Sequence, residues 1–292
     1  MTSVSADGGN TWRTPLHRAH GFVNSNAKIW GQRLSDGTYA TVYNPAEYRW
    51  PLAISLSADG LNYTTLNLIT GDVTPERHWG LYKSFGPQYV RGIQESNPQP
   101  TDGNLWLTYS MNKEDMWVAR VPVPVQLAAT QHADENFASY KTLADMKTWN
   151  IYSPINARVE LDGEWLKLSD SEVYNYARVE KVIPATKELV VEFDVKAKQT
   201  NNGQLNIEFT DEKGNVASKI ILDDTATMRV KGGARSSNMV KGYKADEVYH
   251  IKAVLSQDMH SGVYYVNGKK AAARQFDTPV EAFTRVVFDC TI

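Results

Sequence analysis

The chain has 292 residues, 42% of them hydrophobic and 22% charged, with a formal net charge of −2. That is the composition of a globular protein long enough for two domains, and it excludes disordered and fibrous classes. There is no broad basic field for nucleic acid, no apolar run long enough for a spanning helix, and one cysteine, Cys290, so no internal disulfide framework.

In chain order, Met1-Thr-Ser-Val-Ser has neither the basic start nor the apolar core of a signal peptide. Ser5-Ala-Asp-Gly-Gly-Asn-Thr-Trp12 follows and fits the pattern Ser-x-Asp-x-Gly-x-Thr-Trp at every fixed position. Its physics is a tight turn: Asp7 and Thr11 bond turn amides, the glycines take positive φ, and Trp12 is expected to pack into a sheet. A weaker copy, Ser57-Ala-Asp-Gly-Leu-Asn-Tyr63, recurs roughly 50 residues on, within the range of propeller-blade periods.

Lys28–Leu34, Thr38–Tyr43, Leu52–Leu56 and Tyr63–Ile69 read as four antiparallel strands, with Asp36-Gly37 as a hairpin signal. The pattern recurs: Asp102-Gly103 precedes Tyr109 as Asp36-Gly37 precedes Tyr43, predicting strands over Gln88–Gln94, Leu105–Ser110 and Trp117–Val121. Pro122-Val-Pro-Val125 ends it, because prolines cannot sit in a central strand. Gln88, Tyr89 and Arg91, with Tyr109, Asn112, Lys113 and Glu114, crowd polar groups at strand ends. Buried strands do not need that density, whereas a cleft for a polar ligand does. His17 with His20, and His78 beside Trp79, are too sparse to predict a metal site, and neither a metal nor a cofactor is expected.

Residues 1–127 therefore form one predicted domain, 128–136 a linker and 137–292 a second domain. Strands such as Leu189–Ala197 and Tyr249–Leu255 alternate apolar and polar residues, with turns at Glu212–Asn215 and Val266–Lys269, which predicts a β-sandwich. Helix is expected only around Thr142–Lys147. The predicted fold class is all-β: a partial β-propeller of about two blades plus an edge hairpin, then a jelly-roll sandwich.

Ser5–Trp12, Lys28-Ile-Trp-Gly-Gln-Arg33 and Asn112-Lys-Glu-Asp-Met-Trp117 resemble the closing blades of BNR/Asp-box propellers of the sialidase-like superfamily. Gly262-Val-Tyr-Tyr-Val-Asn-Gly-Lys269 resembles a concanavalin/laminin-G-like jelly roll. Since rings need at least about four blades, the resemblance implies that front blades are missing here, or supplied on a separate chain. It also implies an extracellular or periplasmic parent that acts on oligo- or polysaccharide.

In such a propeller the innermost strands and the loops between second and third strands face the ligand, and the Asp boxes lie opposite. The resemblance so implies substrate contacts from Lys28, Trp30, Gln32, Gln88, Tyr89 and Arg91, from Tyr43, Asn44 and Arg49, and from Asn112 and Lys113. Arginine forks hold carboxylates, so Arg49 or Arg91 could clamp an acidic sugar, against the alternative of surface ion pairs. Sialidases use a tyrosine nucleophile; Tyr109 is the candidate, with Glu95 or Glu114 as its acid–base partner. The alternatives are a packed tyrosine and solvated carboxylates. Exo-acting hydrolysis of a terminal acidic or deoxy sugar, β-elimination of the same sugar, and non-catalytic glycan binding all stay open.

Overall fold

The structure is a computed structural model and describes residues 2–16, 23–92 and 103–292, apart from the Glu47 side chain. Strand makes up 49% of the chain and helix 3%, so the protein is all-β. No described helix is long and apolar enough to cross a membrane. The chain divides into two compact units, Met1–Leu127 and Ala128–Ile292.

The first unit holds two antiparallel sheets. β1 (Trp30–Arg33), β2 (Tyr39–Tyr43), β3 (Leu52–Ser57) and β4 (Asn67–Thr70) form a four-stranded meander in sequence order. The β1–β2 hairpin closes with Leu34 N–H donating to Thr38 O at 2.7 Å, and Gly37 takes φ 87°, where a side chain would be strained. β5 (Pro87–Gly92), β6 (Asn104–Met111) and β7 (Asp115–Pro122) form a three-stranded sheet. One core serves both, built from Trp30, Val42, Leu52, Ile54, Val90, Leu105, Leu107 and Met111. Gly92 is required there, because a Cβ would lie 2.0 Å from the Trp30 ring. Outward-facing Leu68, Met116 and Val118 leave the outer strands with exposed apolar flanks.

Both Asp-box turns form. Asp7 accepts from Thr11 N–H (2.9 Å) and Thr11 Oγ1–H (2.6 Å), and those bonds hold its carboxyl down at about 2. Asp59 accepts from the Leu61 and Asn62 amides, both at 2.8 Å, and its carboxyl is lowered too. The packing expected of Trp12 is not seen among the described residues: it is 62% exposed and donates from Nε1 to Gly9 O at 3.2 Å, in a segment that contributes an isolated bridge rather than a strand.

The second unit is a sandwich. Its larger sheet has the order β16-β15-β14-β13-β20-β11-β8 and its smaller one β12-β17-β18-β19. The larger contains β8 (Trp149–Tyr152), β11 (Ala177–Thr186), β13 (Gln204–Thr210), β14 (Val216–Leu222), β15 (Thr227–Lys231), β16 (Ser236–Lys241) and β20 (Phe283–Thr291). The smaller contains β12 (Glu188–Lys196), β17 (Val248–Ser256), β18 (Ser261–Val266) and β19 (Lys269–Gln275). A separate hairpin pairs β9 (Ala157–Asp162) with β10 (Trp165–Asp170). Ile207, Phe209, Ile220, Ile251, Leu255 and Tyr264 from the two sheets share one core, as their alternation requires.

Asn267 (φ 49°) and Gly268 (φ 77°) make the β18–β19 hairpin turn. Helix over Thr142–Lys147 shrinks to a single 3-10 turn, Leu143–Asp145, stopped after one capping box between Thr142 and Asp145. Within 128–136, Glu135 accepts from Lys181 Nζ and from Tyr140 Oη–H (2.7 Å), so the end of that stretch is fastened into the second unit.

Candidate functional site

The β2–β3 loop, the start of β5 and the β6–β7 turn meet at one end of the first unit. Among the described residues of this unit, five non-glycine residues have left-handed backbones, and all five lie here: Tyr48 and Arg49 (φ 60°), Tyr89 (56°), Asn112 (54°) and Lys113 (57°). Each costs on the order of 1–3 kcal/mol, and such strain gathers where side chains must be aimed.

Buried amides hold the loops. Asn44 Nδ2 donates to Arg49 O (3.0 Å), Pro51 O (2.9 Å) and Pro87 O (2.9 Å), fastening the β2–β3 loop to β5. Gly86 N–H donates to Asn112 Oδ1 at 2.8 Å, and Asn112 N–H returns a bond to Gly86 O at 3.0 Å. Asn112 Nδ2 also donates to Thr74 O at 2.6 Å. Gly86 fits because a Cβ there would sit 2.8 Å from Arg49 O.

Tyr89 is the centre. The β5–β6 register shifts between Gln88, opposite Ser110, and Arg91, opposite Thr108. The bulge turns Val90 into the core and Tyr89 outward, 48% exposed. The Arg49 guanidinium lies over its ring at 5.2 Å from the centroid, and Lys113 Nζ at 5.8 Å. Arg49 foremost, and Lys113 after it, lower the phenol below the ordinary tyrosine range. Arg49 Nη1 donates to Gln88 Oε1 (3.1 Å), which Ser84 Oγ–H also reaches (2.9 Å), while Gln88 Nε2 donates to Ser84 O. Lys113 Nζ donates to Tyr82 O at 2.6 Å.

The structure therefore unites Arg49, Tyr89 and Lys113 at a surface, with Asn44, Gln88 and Asn112 beneath them. Gln88 is 0% exposed and its amide is spent on Ser84 and Arg49, so it aims the guanidinium rather than meeting a ligand. Tyr43 and Trp30 are buried among core residues. Lys28 is exposed and Gln32 half-buried at the start of the first sheet, and Arg91 is exposed on β5. Arg33 stays in its own hairpin, donating to Gly37 O at 3.3 Å. Glu95, His17 and His20 lie outside the described residues.

Tyr109 faces the other way. It is 3% exposed among Leu105, Leu107 and Met111, and burial pushes its phenol well above the usual range, with Asp72 adding to the rise. Ionising it there is harder than in water, the opposite of what a nucleophile needs.

Glu114 is an anchor. It accepts from the Arg77 and His78 amides, both at 2.8 Å, from Arg77 Nε (3.5 Å) and from Lys83 Nζ. Burial alone would raise its carboxyl, but Lys83 and the two amides outweigh that and hold it at about 2. It carries no proton near neutrality and cannot serve as a general acid there. Because the folded value lies below the ordinary 4.5, the clamp on the loop before β5 is complete above about 4.5 and fails as pH falls through about 2. Amide exchange at Arg77 and His78 should speed up across that window, and Glu114→Gln should show fast exchange already at pH 7. Unchanged protection in the variant would remove the anchor role.

Asp59 follows the end of β3, while Arg49 precedes its start, so box and cluster lie at opposite ends of the sheet, about 20 Å apart for a six-residue strand. Sequence reasoning missed Ser84 and gave Lys83 no role on the segment that connects the two sheets; the run Lys83-Ser-Phe-Gly86 before β5 was the available signal.

The BNR repeat-like domain family matches residues 1–149, just over half the chain. The chain belongs to the BNR repeat-like family. A second family, described as the sialidase-like CBM domain, matches residues 149–291 of this BNR repeat-like protein. A solved structure titled sialidase is 56% identical with a TM-score of 0.93, over 98% of this chain and 26% of its own. The chain thus spans about a quarter of that sialidase's length. Trypanosoma rangeli sialidase, in complex with the inhibitor DANA, is 12% identical at a TM-score of 0.32, covering 98% of this chain and 55% of its own. A Bacillus licheniformis beta-glucanase is 12% identical at 0.37, covering 49% and 78%. Neither is near enough to bear on function. No curated protein matches the chain.

Proposed function

We propose that this chain is the closing part of a sialidase-like glycoside hydrolase propeller, and that Arg49, Lys113 and Tyr89 form its subsite for a terminal carboxylated sugar. The observation that carries the reading is the convergence of two cations on one outward, left-handed tyrosine. The likeness to a sialidase over 98% of the chain supports the class, and the 26% share of that protein supports further blades beyond these residues. A guanidinium supplies paired donors to a carboxylate and an ammonium adds point charge.

In this reading Tyr89 rather than Tyr109 is the activated phenol. Its oxygen bonds to the anomeric carbon while the leaving oxygen departs with a proton, and water then releases the sugar. Glu95 stays the candidate proton donor, since Glu114 is committed to its loop. A parent that acts outside the cell on polysaccharide fits this chemistry.

The experiment is calorimetric titration with N-acetylneuraminic acid and glucuronic acid, each against its methyl ester. At least tenfold tighter binding of an acid is the expected result. Equal binding of acid and ester in both pairs would overturn the carboxylate subsite.

A further inference from the structure

The second unit contains a groove of about 1150 Å³ between edge strand β12 and the β9–β10 hairpin. That exceeds the volume of an ordinary small-molecule site and has room for several linked sugars. Phe193 and Phe288, in edge contact at 5.4 Å between centroids, lie along it. Trp165, half-buried on β10, stands at its side with Lys196 Nζ over one face of the indole at 4.5 Å. The unit's other indole, Trp149, is only 8% exposed and packed against Phe137, so Trp165 is the one placed to stack a ligand.

Charge narrows the ligand. Carboxylates lining the groove outnumber lysines two to one. The lysines are also engaged: Lys181 with Glu135, Lys167 with Glu160 at 3.2 Å, Lys198 with Asp246 at 2.8 Å, and Lys196 on Trp165. With carboxylates in that excess, an acidic sugar would meet net repulsion in the groove. Hydroxyls of an uncharged sugar can donate to those carboxylates while the ring's C–H face stacks on indole. Three tyrosines of this unit are alternative platforms: Tyr243 is buried with its hydroxyl on Asp223 O, Tyr176 packs on Tyr152 at 5.0 Å, and Tyr174, although 74% exposed, does not line the groove.

We propose that the groove between β12 and the β9–β10 hairpin is a second carbohydrate site, which holds an uncharged oligosaccharide with one pyranose stacked on Trp165. It rests for its ligand class, carbohydrate, on the function proposed above and on the CBM family match of this unit; the groove, Trp165 and the preference for an uncharged chain come from the structure. The two sites would then divide the work, one gripping a charged chain end and the other the neutral backbone of the same or a neighbouring polymer.

The 292-residue chain would be titrated, by calorimetry and by indole fluorescence, with hexaoses of glucan, galactan, mannan and xylan type, and with hexagalacturonate. At least one neutral hexaose should bind, with hexagalacturonate at least tenfold weaker. Trp165→Ala should lose at least tenfold in affinity for that hexaose and Trp165→Phe should recover part of it, both with the wild-type unfolding transition. Arg49→Ala should bind it normally, which keeps this result separate from the first site. Binding of no neutral hexaose, preference for the acidic one, or undiminished binding by Trp165→Ala would overturn the proposal.

Discussion

In a sialidase-like protein that carries this sequence, Tyr89→Phe should lower turnover at least about a hundredfold, the scale of a lost acid–base or nucleophilic group. Tyr109→Phe should stay within about tenfold of wild type, because its hydroxyl is buried and its ionisation opposed. Steady-state kinetics on one substrate separate the two. Loss confined to Tyr109→Phe would return the chemistry to that residue and leave Tyr89 a binding group. Tyr89→Phe keeps the ring beneath Arg49 and Lys113, so a deficit in turnover with little change in KM would mark the hydroxyl itself.

Asn44→Ala should be the most disruptive single change beneath the cluster. It strips a buried donor from the carbonyls of Arg49, Pro51 and Pro87, the last of these in a fully buried bond. Leaving such groups unsatisfied costs about 1–3 kcal/mol. A fall of that size in urea unfolding free energy for the first unit, with weakened binding of acidic sugars, is expected. Full stability with full binding would mean that the loop is held without Asn44.

Much of the fold was legible. Period-two alternation in Leu189–Ala197 and Tyr249–Leu255 and the Asn267-Gly268 turn marked the sandwich, and the two Asp boxes marked turns that form in the first unit. The parity of Leu105, Leu107, Tyr109 and Met111 also showed that Tyr109 shares the inward face of β6, although its phenol suggested chemistry instead. The site's neighbourhood was legible and its roles were not. Gln88, Asn44 and Asn112 read as ligand contacts because the propeller resemblance puts their strands and loops on the ligand-facing side. They are buried because loops bent through left-handed residues leave carbonyls and amides that only side-chain amides can reach. The bulge that turns Tyr89 outward depends on cross-strand register, which no local pattern encodes. Trp165 was hidden by a similar gap, since its groove requires a hairpin distant in sequence from β12.

The central claim is that Arg49 grips a sugar carboxylate beside Tyr89. It is tested most directly by the ratio of acid to methyl-ester affinity, measured for the wild type and for Arg49→Ala. The account predicts a ratio of at least ten in the wild type, collapsing towards one in the variant, while the ester's own affinity changes little. A ratio that survives the loss of Arg49 unchanged would contradict it.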